Sequence, residues 1–149
     1  MSTLSIATSG LSAASLRLDV AASNIANALS TGPLPATGGS GPSGGTGNAG
    51  NTTNSPAPYV PLQVNQADQS SGSTPGGAVA TVSTVSPSFV AQFDPNAPFA
   101  NQDGLIAAPN IDLTSQFIQL LTAKYEFAAN AKVIRTYSDT TKSLLDISI

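Results

Sequence analysis

Two apolar heptad repeats, one at each end of the chain, constrain its fold more than any other feature of the sequence. In the first, a large residue recurs every seven positions and an alanine follows each one after three: Leu4, Leu11, Leu18 and Ile25, with Ala7, Ala14, Ala21 and Ala28. This spacing is typical of a helix that packs lengthwise against another helix. We therefore predict an N-terminal coiled-coil helix over residues 1–29, whose alanines let a partner backbone come close.

The second repeat lies at the C-terminal end, within residues 111–149. Pro109 followed by Asn110 or Asp112 supplies a helix start, and the predicted helix runs to about residue 146. Its predicted assembly seam consists of Leu113, Phe117, Leu120, Phe127, Ala131, Ile134 and Leu145. Each large seam residue contributes about 1.5–3 kcal/mol only when it is buried, so neither helix is stable alone. The simplest solution pairs the two end helices as an antiparallel coiled coil.

The middle of the chain separates the two helices with polar and β-rich sequence. Residues 30–58 contain only Ser, Thr, Gly, Pro, Ala and Asn apart from Leu34, which predicts a flexible low-complexity loop. Residues 59–110 predict a small β unit, with strands at 59–66, 77–85 and 88–93 and a turn-rich connection after them. The predicted fold class is therefore mostly α with a small β insertion.

Composition argues against an enzyme. The chain has no His and no Cys, which excludes catalytic triads and histidine or thiolate metal sites, and its eight carboxylates are scattered. Asp94, Asn96, Asn101 and Asp103 could suggest a calcium loop, but they lack its ligand spacing. We expect no catalytic residue, no metal and no cofactor.

Charge and hydropathy also bear on the partners. The net charge is −3, and the excess comes from acidic residues in the middle of the chain, where there is no Lys or Arg. Without a basic face, we expect no nucleic-acid partner. No apolar run approaches the roughly 18–20 residues of a membrane span, so we do not expect a membrane-spanning chain.

Three stretches together resemble one protein family. Residues 9–28, SGLSAASLRLDVAASNIANA, resemble the N-terminal signature of bacterial flagellar rod and hook proteins. Residues 111–147, which include the segment FAANAKVI, resemble the family's C-terminal signature. Residues 93–113 are similar to the stretch that leads into the last helix of the short proximal rod member. The long loop at 30–58 departs from the family's short turn, so a divergent paralogue stays open.

This resemblance implies a structural subunit. Family members pair their end helices and then pack against copies of themselves and other rod proteins, both proximal and distal. The resulting tube is a drive shaft that transmits torque across the periplasm, and axial proteins are exported through it. The resemblance also implies delivery by the flagellar type III export apparatus without a cleaved signal peptide, and a location in the periplasmic rod of the flagellum basal body.

Asparagines near the heptad seams have no obvious role within a single helix. Asn24 falls beside the N-terminal seam, Asn27 lies near the end of that helix, and Asn130 belongs to the C-terminal signature. We predict that these three side chains make polar contacts between helices. A rival interpretation of the whole chain is an exported, self-associating surface protein of the adhesin type, with coiled-coil ends and a Gly/Ser/Thr-rich stalk.

Overall fold

The computed structural model describes residues 3–35, 56–70 and 76–147 of the chain. Two long helices lie at the ends of the described sequence, and four short strands lie between them. In chain order the elements are α1 (Thr3–Ala26), β1 (Leu62–Asp68), β2 (Ala78–Thr84), β3 (Phe89–Phe93), β4 (Leu105–Pro109) and α2 (Leu113–Ile147). The strands form two separate two-stranded sheets. The mostly helical fold with a small β unit between two long helices agrees with the sequence prediction.

The chain divides into two compact units, of which the first contains both helices. It consists of residues 1–26, 62–84 and 111–149. Its core is built mainly from alanines of α1 together with Ala123 of α2, which is fully buried. Small side chains such as alanine allow two packed helix backbones to approach closely.

The first unit also contains an antiparallel hairpin. β1 pairs with β2 from Leu62 opposite Thr84 to Asp68 opposite Ala78. The backbone N–H of Ala78 donates to the Ser9 Oγ at 3.1 Å, so β2 begins against α1. A methyl group on Gly77 would lie 2.1 Å from the same Oγ, which explains why glycine precedes this contact. An isolated two-stranded hairpin is marginally stable at best, and α1 supplies the additional packing.

The second unit consists of residues 27–61 and 85–110. β3 pairs antiparallel with β4, from Phe89 opposite Pro109 to Phe93 opposite Leu105. Gly32 and Ala107 exchange two backbone hydrogen bonds, of 3.0 and 2.8 Å, on the other edge of β4. Residues Ile106 to Pro109 are buried, so β4 forms the centre of this unit.

In the region between the helices, one strand was not predicted, and most of one predicted segment lies outside the described residues. Strand β4 was not predicted, because Leu105–Pro109 is only five residues long and directly follows a turn. Most of the predicted loop at 30–58 lies outside the described residues. In the predicted turn at 94–104, the Asp94 and Asn101 side-chain oxygens accept backbone N–H groups, and Gly104 adopts a φ of 72°, which favours glycine.

Candidate assembly surface

The candidate functional site is the surface of the paired helices. Contacts between α1 and α2 join early residues of one helix to late residues of the other. Leu4 shares a shallow hollow with Ile134 and Tyr137, Gly10 adjoins Asn130, and Arg17 forms an ion pair with Glu126. Nearest the other end, Asn24 bonds to Gln116. Residue numbers therefore rise along α1 as they fall along α2.

The predicted seam of α1 is buried on its alanine side. Ala7, Ala14 and Ala21 are at most 4% exposed, and Ala13 and Val20 extend this buried face. The large residues of the seam are less enclosed: Leu4 is 38% exposed, while Leu11, Leu18 and Ile25 are half-buried. Ala28 follows the end of α1, in the second unit, and is also half-buried. The alanine side of the predicted seam is thus the more deeply buried one.

The predicted seam of α2 is mostly accessible. Leu120, Ala131 and Ile134 are half-buried, whereas the other members of the predicted seam are exposed: Leu113, Phe117, Phe127 and Leu145. The residue of α2 that is fully buried, Ala123, was not in the predicted seam. Its signal in the sequence is its position, one turn from Leu120 and Phe127 and two turns from Gln116, on the face that meets α1.

The three predicted polar contacts have different surroundings. Asn24 is 1% exposed and bonds to α2 through Gln116 Oε1 at 3.0 Å. Asn27 lies after the end of α1, where its side-chain oxygen accepts from the Ser30 hydroxyl at 3.4 Å. Asn130 Nδ2 donates to the backbone carbonyl of Glu126, one turn earlier in α2, at 3.0 Å. Of the three, Asn24 therefore forms a hydrogen bond that joins α1 to α2.

A second apolar face runs along α2 on the side away from α1. Phe117, Ile118, Leu121 and Tyr125, here called the outer stripe, are 50–70% exposed. At 3.6 residues per turn they lie between about 120° and 220° around the helix from Ala123. Their exposed apolar area is contiguous along the helix, which is typical of protein interaction sites. Near the end of α2, Leu144, Leu145 and Ile147 are also exposed.

Neither metal binding nor membrane crossing has support in the described residues. Across residues 3–35, 56–70 and 76–147, no three acidic side chains come together as a metal-binding group. Within the same ranges, no helix has both the length and the apolar character needed to cross a bilayer.

Both ends of the chain match family models of flagellar proteins. Residues 4–33 match the family model described as "Flagella basal body rod protein". Residues 102–147 match the model described as "Flagellar basal body rod FlgEFG protein C-terminal". The two matches cover α1 from Leu4 onward and the whole of α2. The class is thus a flagellar basal-body rod protein, a structural protein and not an enzyme.

Full-length relatives narrow the class further. The chain is 33% identical over 141 residues to the flagellar basal-body rod protein FlgC of Yersinia enterocolitica. The aligned segment covers 94% of this chain and 88% of the relative. It is 32% identical to FlgC of Salmonella typhimurium over 132 residues, or 88% and 84% of the two chains. FlgC of Agrobacterium fabrum is 28% identical over 142 residues, or 95% and 90%. The chain belongs to the FlgC family of flagellar basal-body rod proteins.

Proposed function

We propose that the chain is a proximal rod subunit that assembles through its paired end helices into the tubular shaft of the flagellum. The proposal includes partners: further copies of the chain, other proximal and distal rod proteins, and the flagellar type III export apparatus that delivers the subunit. The rod it builds lies in the periplasmic part of the basal body, transmits torque and provides the channel through which axial proteins are exported.

The outer stripe is the observation that carries this proposal. α1 covers the Ala123 side of α2, so Phe117, Ile118, Leu121 and Tyr125 are left on the opposite side. Burying one such side chain against a neighbour contributes about 1.5–3 kcal/mol. A subunit whose helix pair has one face buried internally and a second apolar face exposed is suited to packing within a bundle of helices from several copies.

The pairing within the subunit is proposed to be an antiparallel coiled coil. The order of the contacts, from Leu4 with Ile134 to Asn24 with Gln116, supports opposite chain directions. The buried alanines at seven-residue spacing support close lengthwise packing. We propose that the remaining seam residues, which are half-buried or exposed in the single chain, become covered when neighbouring subunits assemble.

A charge in the outer stripe tests the proposal. Leu121→Asp should abolish rod assembly and swimming when the variant replaces the wild-type chain in the bacterium, because assembly would bury an unpaired carboxylate. Thr136→Asp is the control: it adds the same charge at an exposed position of α2 outside the outer stripe, beside Lys132 and Arg135, and we expect near-normal swimming. Intact helix content of both purified variants, measured by circular dichroism, separates an assembly defect from unfolding. Normal swimming with Leu121→Asp would refute the proposed role of the stripe.

A further inference from the structure

One face of α1 carries polar side chains that contact elements outside the helix. Ser9 accepts from the N–H of Ala78 at the start of β2. Arg17 forms an ion pair with Glu126 of α2 and donates to the Gln66 Oε1 of β1 at 3.5 Å. Arg17 therefore contacts α2 and the hairpin at the same time.

Asn24 makes that connection with its carboxamide alone. Its Nδ2 donates to the backbone carbonyl of Leu62 at 2.7 Å, and its Oδ1 accepts from the backbone N–H of the same residue at 3.1 Å. Nδ2 also donates to the Gln116 Oε1 of α2 at 3.0 Å. The side chain thus pairs with Leu62 as a residue of a neighbouring antiparallel strand would, exchanging two hydrogen bonds with one peptide residue.

We propose that Asn24 is a positioning residue that makes docking of the β1–β2 hairpin depend on the pairing of α1 with α2. Both amide hydrogens are used, one on β1 and the other on α2, and the oxygen holds β1 again. Since the residue is 1% exposed, water does not replace a lost partner. The hairpin and the helix pair consequently form and open together. This inference concerns the folding of the first unit and does not depend on the proposed assembly into a rod.

The chemistry of the carboxamide gives the proposal a specific signature. A carboxylate at position 24 accepts hydrogen bonds but donates none, so it leaves the Leu62 carbonyl unpaired and is itself buried with a charge. A protonated carboxylic acid donates through its O–H and accepts through its C=O, and it restores the two bonds to Leu62. Asn24→Asp should therefore be defective near neutral pH and should recover as the pH falls and the acid becomes protonated. Asn24→Ala should be defective at both pH values.

Other titratable groups around position 24 are few, and measurements on the wild type control for their titration. Arg17 lies on α1, Asp112 directly precedes α2, and Glu126 lies on α2. Asp68 lies at the far end of β1 from Leu62, while residues 78–84 of β2 carry no charged side chain. Wild-type protein at each pH reports the titration of these groups, because they are present in every variant.

The test is hydrogen exchange of the full chain with mass spectrometric detection, in trimethylamine N-oxide to favour the compact state. At about pH 7, Asn24→Asp and Asn24→Ala should lower protection of β1, β2 and the first turns of α2 together, by about 10- to 100-fold, the loss expected for buried polar groups left unpaired. At about pH 4.5, near the range where carboxyl groups protonate, Asn24→Asp alone should regain protection of β1 and β2 relative to wild type, because its single O–H restores the bond to Leu62. Asn27→Asp is the matched control and should affect only residues near the end of α1.

Three results would overturn the proposal. The first is unchanged protection of β1 in both Asn24 variants at about pH 7. The second is loss confined to the hairpin while α2 keeps wild-type protection, which would show that the two elements are not coupled. The third is an Asn24→Asp defect that is as large at about pH 4.5 as at about pH 7, since hydrogen bonding by the protonated acid would then be irrelevant.

Discussion

Replacing Gly10 by alanine sets two opposing effects against each other in the middle of α1. Glycine in a helix interior is about 1 kcal/mol less favourable than alanine, so helix propensity alone predicts that Gly10→Ala stabilises the protein. The tertiary structure predicts the reverse. A methyl group at this position would lie 2.8 Å from Nδ2, 3.0 Å from Oδ1 and 3.1 Å from Cγ of Asn130.

The cost of this contact can be worked from what Asn130 does. All three approaches are shorter than the roughly 3.5–4.0 Å of ordinary contacts, so the Asn130 side chain has to move or the helices have to separate. Moving the side chain endangers its hydrogen bond to the Glu126 carbonyl, worth about 0.5–1.5 kcal/mol. Overpacking a close contact costs about 1–3 kcal/mol. Set against the gain of about 1 kcal/mol in propensity, we expect a net destabilisation of about 0.5–2 kcal/mol.

A double-mutant cycle isolates the contact. In an Asn130→Ala background the space beside residue 10 is open, and Gly10→Ala should then stabilise the protein by about 1 kcal/mol. The sign of the substitution is therefore expected to reverse, with a coupling energy of about 1.5–3 kcal/mol. Urea titrations followed by circular dichroism at 222 nm, in a fixed concentration of trimethylamine N-oxide, measure all four proteins under one condition. If Gly10→Ala had the same effect in both backgrounds to within about 0.5 kcal/mol, the close approach of α1 to Asn130 would be wrong.

Three further predictions address the core, the seam and the exposed surface. Ala123→Leu should lower the free energy of unfolding by about 1–3 kcal/mol, because Ala123 is fully buried, whereas Ala129→Leu on the exposed side should change it by less than about 0.5 kcal/mol in urea titrations. Leu11→Asp and Ile25→Asp should each abolish assembly by placing a charge in the seam, and normal swimming of both variants would refute the heptad assignment. Helix content of the purified chain should rise with protein concentration, because association buries exposed apolar faces; a circular dichroism signal per residue that is independent of concentration would count against this.

The sequence was most informative about local structure. Seven-residue spacing placed both helices to within a few residues of α1 and α2, and β-branched runs indicated β1, β2 and β3, with boundaries that moved by up to about three residues at each end. These patterns are visible because helix and strand periodicity are properties of neighbouring residues. β4 was not predicted because Leu105–Pro109 is short and its burial depends on pairing with β3 and with Gly32.

The residues alone indicate that this chain has two helices unable to bury their apolar faces individually, that it lacks the residues for familiar catalytic chemistry, and that it resembles flagellar rod proteins. Which flank of each heptad repeat is buried depends on the tertiary packing. That packing buries alanines of α1 and leaves the outer stripe of α2 exposed. It also decided what Asn24 bonds to, since Leu62 and Gln116 are 38 and 92 residues away in the chain. Periodicity fixes the angle of a side chain around its own helix, but the identity of its partner depends on how distant segments pack.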